Sequence, residues 1–184
     1  LIHELEMYIR GLEQLELMRA VDGFNVKLLV PHGTISGWKK ILGDVGKKFT
    51  FIEGLDFDTI FNAIKESKIF IHSAPQIKYG TDGWPLVALM GGSYVFSSPN
   101  NWLKGRYNEQ IGLYFYNYKD QKAIRGKIEE LLKNPEKLDQ AILQGRNKVI
   151  QEDTWKVRAK QLLEELPSYL TPFATRARGN KKGT

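Results

Sequence analysis

Five short apolar runs, each too short for a helix and bounded by turn residues, alternate with helical segments or long connections through the first two thirds of the chain. They are Asn25 to Val30, Lys48 to Glu53, Lys68 to Ser73, Ser93 to Ser97 and Gly112 to Tyr116. Strands separated by whole helices cannot pair as hairpins; they pair in parallel, and a parallel sheet buries both faces, which is why these runs are apolar throughout instead of alternating. The helical segments are Ile2 to Val21, Thr34 to Val45, Phe57 to Ser67 and Pro85 to Met90, followed by Lys119 to Lys133, Pro135 to Gln151 and Thr154 to Leu166. Pro135 and Asp153 stand at helix starts, as expected of residues that open a helix. The pattern predicts an α/β fold: a Rossmann-like parallel sheet of about five or six strands with helices on both faces and a helical carboxyl end.

At 184 residues the chain is one domain in length and needs no staples, and its lack of cysteine excludes a disulfide scaffold, a thiol nucleophile and thiolate metal sites. The absence of cysteine is also compatible with a reducing compartment, so a cytoplasmic location is the expectation. The net charge of +6 points less toward nucleic acid than it first suggests. Arg176, Arg178, Lys181 and Lys182 lie in the last nine residues, leaving a body of only +2. That end lacks aromatic interleaving and reads as a basic flexible tail over 171–184 behind a domain over 1–170, with no nucleic-acid partner expected. No apolar run reaches the ~20 residues of a membrane helix, so no transmembrane segment is expected.

In open parallel sheets ligands bind beyond the carboxyl ends of the strands, so the informative residues are those that follow each run. His32 and Gly33 follow the first, Glu53, Gly54 and Leu55 the second, His72 to Trp84 the third and Ser97 to Lys104 the fourth. The third connection is the strongest candidate. His72 and Ser73 open it, Gly80 and Gly83 allow close backbone approach, Thr81, Asp82 and Trp84 complete it, and a helix opening at Pro85 presents free amides suited to a pyrophosphate. The alternative is a surface loop capped by Thr81 or Asp82, with His72 a structural histidine and Glu53 a solvated turn carboxylate. Neither a P-loop nor a G-x-G-x-x-G fingerprint occurs, which removes the anchors of ATPase and dinucleotide readings.

Phe49 to Ser98 resembles the carboxyl-terminal, donor-binding half of group 1 glycosyltransferases of the GT-B fold. The matching features are Glu53-Gly54, Ile60-Phe61, the strand Ser67 to Ile71, Pro75, and Val87 to Val95 in place of "Glu-Ala-x-Ala-x-Gly-x-x-Val". Lys133 to Glu136, Gly145-Arg146 and Thr154-Trp155-x-x-Arg158-Ala159 continue the similarity. The resemblance implies a transferase that moves a sugar from a nucleoside diphosphate donor to a sugar, lipid or protein acceptor, without a metal or other cofactor. It implies further that an amino-terminal acceptor domain belongs to the parent chain and that one strand precedes Leu1. By the same resemblance, the base lies against Glu53, Gly54 and Leu55. The diphosphate is held by amides around Asp82, Gly83 and Trp84, and the sugar lies near His72 and Ser73. The acid that grips the donor ribose in the family falls at Val87, and the earlier acid of the E-x7-E pattern falls near Tyr79.

Losing both carboxylates favours a second reading, a degenerate non-catalytic Rossmann-like interaction module; the retained Gly54, Gly80, Gly83 and Gly92 oppose it. A flavodoxin-like or response-regulator-like domain lacks its acidic cluster or flavin loop here.

Overall fold

A computed structural model describes residues 2–77, 79–80 and 82–166. Thr81, the boundary at 170 and the basic tail lie outside the described residues. The expected alternation is present: α1 (Ile2–Ala20), β1 (Lys27–Val30), α2 (Ile35–Leu42), β2 (Thr50–Glu53), α3 (Phe57–Lys65), β3 (Ile69–His72), α4 (Trp84–Gly91), β4 (Tyr94–Ser97), α5 (Asn101–Lys104), β5 (Leu113–Phe115), α6 (Gln121–Lys133) and α7 (Pro135–Lys148). Residues 155–166 form a final helix. The short helix α5 and the 3-10 turn Glu109–Ile111 escape a periodicity reading because neither completes two turns.

Five strands form, all parallel, but they do not join in one ladder. β1 pairs with β2, with Lys27 opposite Thr50, and separately β3–β4–β5 pair with Ile69 opposite Tyr94 and Val95 opposite Leu113. The single sheet of five or six strands expected from the sequence is therefore two pieces.

They belong to one layer, because alternate residues of both sheets feed the same two cores. Leu28, Phe51, Ile69, Ile71, Tyr94, Phe96 and Tyr114 pack with Leu17 and Met18 of α1 and with Ile124, Ile128 and Leu131 of α6. Leu29, Phe70, Val95, Leu113 and Phe115 pack the other way, with Ile60 and Ile64 of α3 and Ala88 and Leu89 of α4. β4 is buried at all four positions, whereas β3 is half-buried at all four. Lys27, opening β1, meets Glu66, just before β3, at 2.5 Å and ties the two sheets at their amino ends.

Candidate functional site at the carboxyl ends of the strands

The carboxyl ends of β1 and β2 converge through a side chain. Glu53 accepts a hydrogen bond from the Gly33 amide at 3.0 Å, so the carboxylate read as a solvated turn group or base contact holds the loop after β1 to the end of β2. His32, beside it, is exposed. Gly54 has φ +120°, and a Cβ there would stand 3.2 Å from the Asp56 carboxylate, so both backbone and space call for glycine. Asp56 in turn caps α3, accepting from the Thr59 amide at 2.9 Å and its hydroxyl at 2.7 Å, and those bonds hold its carboxyl below its ordinary range. Leu55 projects into solvent.

The connection after β3 is built around His72, which places its Nε2 2.7 Å from Asp82 Oδ2; with Asp82 ionised, the imidazole is the donor. The other carboxylate oxygen accepts from the Trp84 amide at 3.3 Å, the first helical amide of α4. Burial alone would raise the Asp82 carboxyl; the hydrogen bond and charge of His72, with the Trp84 amide, outweigh it and leave the group below its ordinary value. Gly83 carries the chain into α4 at φ +87°, a conformation that strains any other residue, although a Cβ there would meet no protein atom within 4 Å. A valine at 83 therefore tests loop conformation as much as ligand contact.

One residue that pins this loop was not singled out from the sequence. Asn100, almost fully buried, donates from Nδ2 to the carbonyls of Ile77 (2.9 Å) and Gly80 (2.7 Å), while its Oδ1 accepts from the Leu103 amide at 3.0 Å and caps α5. Ser98 adds a second tie, its Oγ accepting from the Ala74 amide at 3.1 Å. The available signal was Pro99-Asn100 ahead of an apolar residue, a helix-capping pattern.

Under the pinned loop, His72, Asp82, Ser97, Ser98, Asn100 and Leu103 line a cavity of only about 10 Å³, too small for a phosphoryl group. His72 Nδ1 is buried there without a hydrogen-bond partner among the described residues. The roomier space, about 310 Å³, is a cleft between α1 and the start of the same loop, lined by Arg10, Gly11, Gln14, Ser73, Pro75 and Gln76. Ser73 thus faces α1 and not the Asp82 end of the loop. Gly80 is exposed, and Tyr79, at the position of the family's earlier acid, is 81% exposed. Val87 packs half-buried against the α3–α4 core, so the position of the family's ribose carboxylate makes an apolar contact here. Among the described residues, no group of three or more His, Asp or Glu side chains is placed to hold a metal ion. None of the helices among them is long and apolar enough to cross a membrane.

The sequence pattern of a glycosyl transferase-like family matches residues 11–164, most of the folded chain. The chain belongs to that family. Among solved structures, this glycosyl transferase-like domain is similar to a sucrose-phosphate synthase from Thermosynechococcus elongatus, with a TM-score of 0.66 at 18% identity. The alignment covers 87% of this chain and 43% of that one, so the domain spans less than half the length of its structural relative. Likeness at that identity establishes the shared fold, in agreement with the GT-B donor-half resemblance. No curated protein sequence matches the chain.

The ionised Asp82 gives the site a defined acid dependence. Its carboxyl is lowered in the folded state from an ordinary value of 3.8, so its contribution to stability is fully present above pH ~4 and is lost as pH falls through the lowered value. Acid unfolding of Asp82→Asn is expected to show a shallower limb below pH ~4 than the wild type; superimposable limbs would remove this role from Asp82.

Proposed function

We propose that the domain binds the nucleoside diphosphate portion of a sugar donor at the amino end of α4 and serves glycosyl transfer to a separately held acceptor. The observation that carries this reading is the placement of Asp82. Its carboxylate already occupies the helix amino end, bonded to the Trp84 amide and to His72, so an anion is what this corner accommodates. A diphosphate would take over the same amide and imidazole donors once the loop held by Asn100 lifts and Asp82 swings out. Gly33, Gly54 and the 80–84 stretch border the same edge, with Glu53 fixing the first two loops together. The leaving diphosphate would be stabilised by the α4 amides and the His72 imidazole, without a metal ion as the resemblance implies.

An amino-terminal domain carrying the acceptor site is the partner that the resemblance implies. The cytoplasm is the compartment consistent with a nucleotide-sugar donor.

Calorimetric titration of the intact protein with uridine and guanosine diphosphates, in the presence of chelator, tests the reading. Saturable heat with at least one of them is expected. Absence of heat with every nucleoside diphosphate would overturn it. The non-catalytic alternative draws support from Val87 and from the closed cavity, and saturable binding without any sugar release from the matching donor and acceptor would favour it.

A further inference from the structure

Asn100 is only 5% exposed, and its side chain is engaged at both ends. Oδ1 accepts from the Leu103 amide at 3.0 Å, which holds the oxygen end against α5. Both Nδ2 hydrogens go to one loop, to the Ile77 carbonyl at 2.9 Å and the Gly80 carbonyl at 2.7 Å. Two residues beyond Gly80 stands Asp82, whose carboxylate closes the corner on His72 Nε2 and the Trp84 amide. Gly80 and Gly83, both at positive φ, bracket Asp82, and glycine at those positions lets the backbone between them turn once its ties are released. The space beneath is about 10 Å³, so admitting a phosphoryl group takes displacement of loop backbone and not only rotation of one carboxylate.

The two ends of this side chain perform tasks that chemistry can separate. Capping α5 needs only an acceptor oxygen, which serine or aspartate supplies as well as asparagine does. Spanning two carbonyls needs the two hydrogens of an amide. We propose that Asn100 is an autoinhibitory positioning residue: it holds the loop so that Asp82 stays on the α4 amino end, and its bonds to Ile77 and Gly80 must break before a diphosphate can enter. The inference rests on the donor reading above and deepens it by adding the regulation of the same corner. The open form is then a minor population of the free protein, and the apparent affinity for a diphosphate is reduced by that fraction.

The test uses the intact protein and Asn100→Ser, which keeps an oxygen for the α5 cap, buries no charge and cannot span both carbonyls. Trypsin cleavage after Lys78, which falls between Ile77 and Gly80 in the chain, reports release of the loop without any ligand, and cleavage after Lys133, the last residue of α6, is the internal reference. In the variant the Lys78 cut should quicken roughly tenfold against the reference, and the dissociation constant of uridine or guanosine diphosphate should fall by about the same factor. A residue that only caps α5 would move neither. Faster cutting with unchanged or weaker nucleotide binding would overturn the brake and leave the donor reading standing; unchanged cutting would also overturn it. The wild type supplies a measurement that needs no variant: the Asn100 side-chain amide protons should be protected from exchange in the free protein and lose that protection in saturating nucleoside diphosphate. Protection that persists with the nucleotide bound would overturn the proposal. If the wild type binds no nucleoside diphosphate, the donor reading and the brake fall together.

Discussion

Gly145→Ala should destabilise the domain by about 2–3 kcal/mol, although alanine is the better helix former by ~1 kcal/mol. Gly145 lies inside α7 where that helix crosses the turn Glu109–Ile111 and the side of α4, and an added Cβ would stand 2.6 Å from the Ile111 carbonyl oxygen and 2.9 Å from Leu89 Cδ2. The first neighbour is backbone and cannot rotate away, so α7 must move off α4, loosening the helix whose amino end forms the candidate site. Gly126 is the control. It sits exposed in α6, where an added Cβ would meet no atom within 4 Å, so Gly126→Ala should gain up to ~1 kcal/mol. Urea denaturation of the two variants should therefore show midpoints displaced in opposite directions; a stabilised Gly145→Ala would mean that the α7 crossing is not the close approach described.

A loss of similar size is expected for Asp153→Ala, which removes the anchor of the final helix. The Asp153 side chain is fully buried and accepts from Arg106 at 2.9 Å, from Arg158 and from the Tyr107 hydroxyl. Burial, and then that hydrogen bond and the Asp153 charge, push the Tyr107 phenol well above its ordinary range. Both guanidinium groups also lie against the Trp102 ring, Arg106 at 5.0 Å and Arg158 at 5.4 Å from its centre. Removing the acid leaves two neighbouring cations without the carboxylate oxygen that both of them bind. Because both are about one-third exposed, solvent recovers part of the loss, and the cost is about 2 kcal/mol instead of the larger value of a wholly buried pair. Asp153→Asn, which keeps an acceptor, should lose less; equal melting points for Asp153→Ala and the wild type would remove the network from the stability account.

This network also explains a boundary that the sequence misses. A regular helix over Pro135 to Gln151 is what the apolar spacing predicts, yet α7 stops at Lys148 and a π-helical turn, Val149–Asp153, follows. The wider turn brings Asp153 inward to its three partners, a tertiary demand that local periodicity does not carry. Strand existence was legible because parallel strands packed by helices on both faces leave apolar runs between turn residues. The division into two sheets was not, since hydrogen-bonding neighbours leave no trace in composition.

The candidate site was legible where backbone demands glycine, at Gly54 and Gly83, and where a strand end delivers a polar group, at His72. The partnerships were not: Glu53 with the Gly33 amide, His72 with Asp82, and Asn100 with two loop carbonyls join residues 10 to 23 positions apart. Spacing in the chain does not encode which loop folds onto which.

The occupation of the α4 amino end by Asp82 can be measured directly as a competition. Asn at 82 keeps the shape and an acceptor oxygen but removes the charge that a diphosphate would have to displace. The dissociation constant of a nucleoside diphosphate for the intact protein, determined by calorimetry at about pH 7 for the wild type and for Asp82→Asn, should fall about tenfold in the variant, a discounted share of the Coulomb repulsion expected for a partly exposed charge at that distance. Unchanged or weaker binding in Asp82→Asn would contradict the account, because the diphosphate would then bind elsewhere or Asp82 would be holding it in place.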